Sequence, residues 1–210
     1  LATAKRPFLL EGGKKLTNGV LAYETYGALN SEKDNAILVF HALSGSQHAA
    51  GFRESLSGSV DRLWTIECKI GWWDKFIGKN KVIDTSKYFV ICVNYLGGCY
   101  GSTGPNSINP DSGQKYMGSF PWISFVDIVR SQMELVESFK IKSLFAIAGP
   151  SLGGLLALTT TMLYPEKVQR IISIASGLTL QPLQIIHNYE QIKAIESDSL
   201  FLDGNYKEDD

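Results

Sequence analysis

Residues 146–158 read AIAGPSLGGLLAL. An apolar run breaks at Gly149-Pro150-Ser151-Leu152-Gly153-Gly154 and resumes with the spacing of an apolar helix. G-x-S-x-G at a strand-to-helix corner has a mechanical purpose. A serine on so tight a turn is held in strained backbone geometry, and the flanking glycines remove the side chains that would clash. The hydroxyl then stands above the C-terminal edge of a sheet as a nucleophile. The N–H of the next residue, Leu152, lies at a helix N-terminus, where it can stabilise a developing oxyanion. The plainer alternative is a β-to-α turn with a serine helix cap. The apolar strand before the corner and the helix after it favour the nucleophile.

Working outward, VLAYETYG (20–27) alternates as a half-buried strand does, and AILVFHAL (36–43) and YFVICVNY (88–95) are short, continuous and apolar. SLFAIAG (143–149) and VQRIISIAS (168–176) follow the same style. Strands of this kind suit a mostly parallel sheet with helices on both faces. WISFVDIVRSQMELVESF (122–139) sets Phe125, Ile128, Val129, Met133, Val136 and Phe139 on one helical face and Asp127, Arg130, Glu134 and Glu137 off it. The helix from the serine corner should stop at Pro165. The alternation over 122–176 is a βαβ signature and places the chain in the α/β class. The long irregular stretches 44–81 and 96–121 are of the kind that shapes a ligand site.

AILVFHALSGS ends another strand, and its loop is where a second oxyanion donor is expected, nominated here as the N–H of Leu43. His41 and His48 straddle that loop without zinc spacing or an acidic or cysteine cluster, so no metal is expected and both read as structural or pocket-lining. LGGCYGSTGP (96–105) lacks the phosphate-binding glycine patterns and reads as a pocket wall. A net charge of −1 gives no electrostatic basis for nucleic-acid or anionic-membrane partners. The three cysteines, Cys68, Cys92 and Cys99, have no CxxC spacing, and Cys92 reads as a small buried hydrophobe. No run has membrane-spanning length and no signal peptide is evident, so the expected compartment is the cytoplasm.

Five blocks in order, HALSGSQHAAG (41–51), GWWDKFIG (71–78), NYLGGCYGSTGPNSINP (94–110), FPWISFVDIVRSQ (120–132) and GPSLGG (149–154), together resemble the homoserine O-acetyltransferases, enzymes of the α/β-hydrolase fold. The resemblance runs from about residue 18 to 206. It implies transfer of an acetyl group from acetyl-CoA, a co-substrate and not a tightly bound cofactor, to the hydroxyl of homoserine in methionine biosynthesis. Ser151 matches the nucleophile, and Leu43 and Leu152 match the oxyanion donors. A homodimer is the candidate assembly. Departures fall at Pro150 (usually glycine), at Leu152 (usually methionine) and in 54–69, which reads as an extra stretch. In HNYEQIKAIESD (187–198) Ile192, beside Lys193, replaces an arginine that grips the substrate carboxylate, which leaves the acceptor and the acyl donor open.

The fold's order of Ser, then Asp or Glu, then His is not completed after Ser151. His187 follows the serine within a helical segment and aligns with a non-catalytic position. Residues 1–178 therefore read as the N-terminal part of the hydrolase core and 179–210 as the start of a helical lid. The last strands, with the catalytic Asp and His, are expected beyond Asp210, and the fragment alone is expected to be inactive. Two alternatives stand beside the transferase: a serine hydrolase of the same fold, and an inactive truncated paralogue.

Overall fold

The computed structural model describes residues 1–55 and 64–206. A short antiparallel pair, β1 (Phe8–Leu9) and β2 (Lys15–Leu16), precedes β3 (Tyr23–Tyr26) and β4 (Ala36–Val39). A second small pair, β5 (Ile77–Gly78) and β6 (Ile83–Asp84), leads to β7 (Phe89–Val93). Then follow α1 (Phe125–Ser138), β8 (Ala146–Pro150), α2 (Leu152–Leu163), β9 (Ile171–Ile174) and α3 (Pro182–Glu196). The main sheet has the order β3-β7-β4-β8-β9. Only β3 runs antiparallel to its neighbour, and the other pairings are parallel. Half of the extra stretch 54–69, residues 56–63, lies outside the described residues.

β4, β7 and β8 are apolar on both sides because both of their faces are covered. One face carries Leu38, Phe40, Ile91, Val93 and Ile147, packed against Ile128, Val129, Met133 and Val136 of α1 and Leu156 and Ala157 of α2. The opposite face carries Ile37, Val39, Val90 and Cys92, and among the described residues it is covered by Ala49, Ala50, Ile77, Trp72 and Trp73. Among the described residues α1 and α2 share one face, and loop aromatics fill the other.

Asp127, expected on the solvent side of α1, is 1% exposed. It closes a capping box with Ser124 and accepts the Glu11 N–H at 2.8 Å, so its burial is compensated by hydrogen bonds. Phe125, expected in the core, is exposed at the first turn. β9 was read as a covered strand, yet Ile171, Ile172 and Ile174 are exposed. It pairs with β8 on one side only, and among the described residues nothing pairs with its outer edge. α3 begins at Pro182, fixed by a Gln181/Gln184 capping box, and has no buried residue.

Leu156 is fully buried where α2 packs on the sheet beneath the serine corner. Leu156→Ala should lower the unfolding free energy by about 3 kcal/mol, read from urea denaturation.

Candidate active site

The parallel strands end at one edge of the sheet, so the loops leaving β4, β7, β8 and β9 converge there. Ser151 sits between β8 and α2 with φ 52° and ψ −120°, a backbone conformation that non-glycine residues seldom adopt. Its N–H donates to the Ile174 carbonyl at 2.9 Å. Its own carbonyl accepts from the Ser176 Oγ at 2.6 Å and from the Gly154 N–H at 2.9 Å. The turn is therefore pinned to the end of β9. Ser176 is not singled out by the sequence motif; its available signal is a serine just past the end of a parallel strand beside the corner.

The glycines around Ser151 answer to specific neighbours. A Cβ on Gly149 would meet the Gly153 Cα at 2.9 Å, and one on Gly153 would run into the Phe40 carbonyl and meet the His41 carbonyl oxygen at 2.8 Å. One on Gly154 would collide with Ser176 and meet the Ser173 Oγ at 2.8 Å. The motif thus lets α2 begin against the ends of β4 and β9 at once.

Ser151 is exposed, and it opens on a cleft of about 400 Å3 bordered by Leu43, Leu152, Ser176, Gln184 and His187. The structure therefore brings Ser151, Leu43 and Leu152 together at one cleft. Among the described residues the N–H groups of Leu43 and Leu152 have no acceptor, which leaves both free for an oxyanion. Leu152 opens α2, so its N–H also stands at the positive end of the helix. The Leu43 side chain is 80% exposed and adds an apolar rim to the cleft. His187 borders the cleft as well. Among the described residues it has no hydrogen bond to Ser151 or to a carboxylate, so it lacks the contacts of a serine-activating base. Ile192 and Lys193 do not line the cleft, and Lys193 is paired with Glu196 at 2.6 Å.

His41 is buried, stacked on Tyr95 with ring centroids 3.7 Å apart, and its Nδ1–H donates to the Ala42 carbonyl at 2.6 Å. Tyr95 Oη donates to the His41 carbonyl. Burial pushes the His41 pKa down to about 4, so the ring is neutral and serves as packing under the loop. His48, also buried, has the opposite surroundings. Its Nδ1 lies 2.8 Å from Glu24 Oε2 on β3, and its Nε2 lies 3.2 Å from the Lys69 carbonyl. Burial alone would lower its pKa, but the Glu24 hydrogen bond and charge outweigh that and raise it. Burial likewise opposes ionisation of Glu24, and hydrogen bonds from His48 and Tyr26 hold its carboxyl below the usual range. Arg53 Nε stands 2.9 Å from Glu24 Oε1 without the alignment of a hydrogen bond.

The loop after β7 is stitched to the segment before β3. The Val20 N–H donates to the Thr103 Oγ1 at 2.8 Å, the Ala22 N–H to the Ser102 Oγ at 3.0 Å, and the Ser102 Oγ–H to the Asn94 carbonyl at 2.6 Å. It walls a cavity of about 630 Å3 whose lining does not include Ser151. Cys92 is fully buried, and burial pushes its thiol pKa up. Among the described residues no helix is long and apolar enough to cross a membrane.

Residues 35–209 match the family model described as alpha/beta hydrolase fold. The chain is 48% identical over 198 residues to the homoserine O-acetyltransferase of Methanohalobium evestigatum, covering 94% of this chain and 38% of that protein. It superposes on the crystal structure of homoserine O-acetyltransferase from Bacillus anthracis with a TM-score of 0.85 at 35% identity, covering 97% of this chain and 53% of that one. The structure of esterase E22 is similar to nearly the same degree, with a TM-score of 0.84 at 34% identity over 96% of this chain and 54% of that one. The chain thus spans between about two-fifths and just over half of the length of these relatives.

The strain at Ser151 is local and removable. Ser151→Gly should raise the unfolding free energy by about 1 kcal/mol, the released φ/ψ strain being offset in part by the greater freedom of glycine in the unfolded chain. Chemical denaturation checks it, and a lower midpoint for the variant would contradict the assignment of strain to this residue.

Proposed function

Because the chain belongs to the α/β-hydrolase fold family, we propose that it carries the nucleophile and oxyanion half of an O-acetyltransferase that moves an acetyl group from acetyl-CoA to homoserine. The observation that supports this reading best is the strained, exposed Ser151 sharing a cleft with two unpaired backbone N–H groups. The similarity to homoserine O-acetyltransferases supports an amino-acid hydroxyl as the acceptor.

Ser151 Oγ attacks the thioester carbonyl carbon, and its proton passes to a general base. The carbonyl oxygen becomes an oxyanion that accepts hydrogen bonds from Leu43 N–H and Leu152 N–H, each donor contributing about 3 kcal/mol of transition-state stabilisation. The tetrahedral intermediate collapses, the C–S bond breaks, and CoA leaves as a thiol after taking the proton. The homoserine hydroxyl then attacks the acetyl-serine ester through a second oxyanion on the same donors, its proton going to the base and on to Ser151 as the ester forms. Among the described residues His187 has neither a serine nor a carboxylate contact, so the base is not assigned to it. α3, exposed on every side, is read as the first helix of a lid over the cleft.

The similarity to esterase E22 favours one second reading, in which water takes the place of the amino-acid hydroxyl. CoA release from acetyl-CoA by the full-length protein, measured with and without homoserine, separates the two. The transferase reading expects release to depend on homoserine and O-acetylhomoserine to accumulate, whereas equal release in both would make the protein a hydrolase. Ser151→Ala should lower kcat on the order of a million-fold under either reading.

A further inference from the structure

The Glu24–His48 pair lines no part of the Ser151 cleft, and the mechanism above does not use it. We propose that Glu24, Tyr26 and His48 are positioning residues that hold the segment carrying the Leu43 N–H, and that they do so only while His48 is an imidazolium. The proposal rests on the reading of Leu43 as an oxyanion donor.

The donor count leads to it. Tyr26 Oη accepts the N–H groups of Ala49 and Ala50 at 2.8 and 3.1 Å, which occupies its lone pairs. Its single proton goes to Glu24 Oε2 at 2.7 Å, with the Gln47 carbonyl a distant 3.5 Å. Glu24 Oε2 accepts that proton. Although burial opposes its ionisation, the hydrogen bonds from His48 and Tyr26 hold the carboxyl below the usual range, so Glu24 is a carboxylate and only accepts. His48 faces that carboxylate through Nδ1 and the Lys69 carbonyl through Nε2, and both of these partners only accept. Both ring nitrogens must therefore donate, which only the imidazolium can do. The His48 side chain is 3% exposed, so a neutral ring would leave one buried carbonyl or carboxylate facing a lone pair.

Among the described residues the other charged groups near the ring pull in both directions. The Arg53 cation, beside Glu24, opposes the imidazolium, and Asp74, which accepts the Gly51 N–H at 2.8 Å, adds a second negative charge nearby. Lys69 and Glu54 pair with each other, and Cys92 is a neutral buried thiol. Trp64 closes the remaining side, with ring centroids 5.5 Å apart.

The clamp reaches the oxyanion loop through the backbone. The His48 N–H donates to the Ser46 Oγ at 3.2 Å, and the Ser46 carbonyl accepts from the Trp72 Nε1–H at 2.9 Å. The carbonyls of His48 and Ala49 accept from the N–H groups of Trp72 and Trp73 at 3.3 and 2.9 Å. Segment 46–50 is thus fixed from β3 on one side and from 69–73 on the other. Gly45 adjoins that segment, and its N–H donates to the Ala42 carbonyl at 3.0 Å, closing the turn that contains Leu43.

The sign is definite. The imidazolium is present below the ordinary histidine value of 6.5 and is lost as pH rises through the raised value. A catalytic histidine base has the opposite dependence, since it must be neutral. In the full-length protein, kcat/KM should therefore show a descending alkaline limb in addition to the ascending limb of the base. Above that limb, activity should be lower by about ten- to a hundredfold. Glu24→Gln should move the limb to lower pH, and His48→Gln should remove it and leave the low plateau. NMR titration of the His48 ring in the wild type should give a pKa above 6.5 that coincides with the limb. A limb at the same pH in wild type and Glu24→Gln, or a His48 that titrates below 6.5, overturns the proposal. If His48→Gln does not fold, the Glu24→Gln shift and the wild-type titration decide. Full activity in Ser151→Ala would overturn the nucleophile reading instead, while the His48 titration would still report on the clamp.

Discussion

Gly153 touches the Phe40 carbonyl so closely that no side chain fits between them, and the geometry of the serine corner follows from that contact. It brings the first turn of α2 against the end of β4, so the loop bearing Leu43 and the helix bearing Leu152 become neighbours. Gly149 lets α2 fold back over its own strand, and Gly154 lets it meet Ser173 and Ser176 of β9 and the turn beyond. Ser151 is then over-determined, with its N–H held by Ile174 and its carbonyl by Ser176 and Gly154. A strained conformation costs on the order of 1–3 kcal/mol and persists only where the surroundings impose it. Here three strands of the sheet impose it together.

The same loop holds two buried histidines whose surroundings push their pKa values in opposite directions. His41 has a carbonyl for one nitrogen, an aromatic ring against its face and no counter-charge, so burial decides and the ring stays neutral. His48 has a carboxylate and a carbonyl as partners, so the partners decide. Both are almost inaccessible to water, and burial alone would have treated them alike.

Much of this was legible along the chain because it is local. The serine corner, the apolar runs that became β4, β7 and β8, and the helix starting at Leu152 each depend on residues close in sequence. What was not legible depends on distant partners. Nothing near His48 announces that Glu24, on another strand, supplies its counter-charge. Asp127 read as a surface residue because its periodicity is polar, whereas its burial comes from Ser124 and from the Glu11 N–H, far away in the chain. β9 carries the composition of a covered strand, yet its position at the sheet edge leaves its isoleucines exposed. The facial placement of α1 and α2 likewise follows from crossover geometry, which the period of a helix does not encode. Leu43 and Leu152 are nominated by their positions after strand ends and by the family resemblance, since their side chains carry no chemical signal.

That last feature has an evolutionary consequence. If the oxyanion is held by the main chain at residues 43 and 152, the side chains there are free to diversify without touching the charge-stabilising step. The exposed Leu43 side chain forms part of the rim of the Ser151 cleft. Drift at such positions changes which molecule is admitted while the reactive core stays constant. One scaffold can in this way give rise to lineages that hand an acyl group to different acceptors, water among them, through a few substitutions at its mouth.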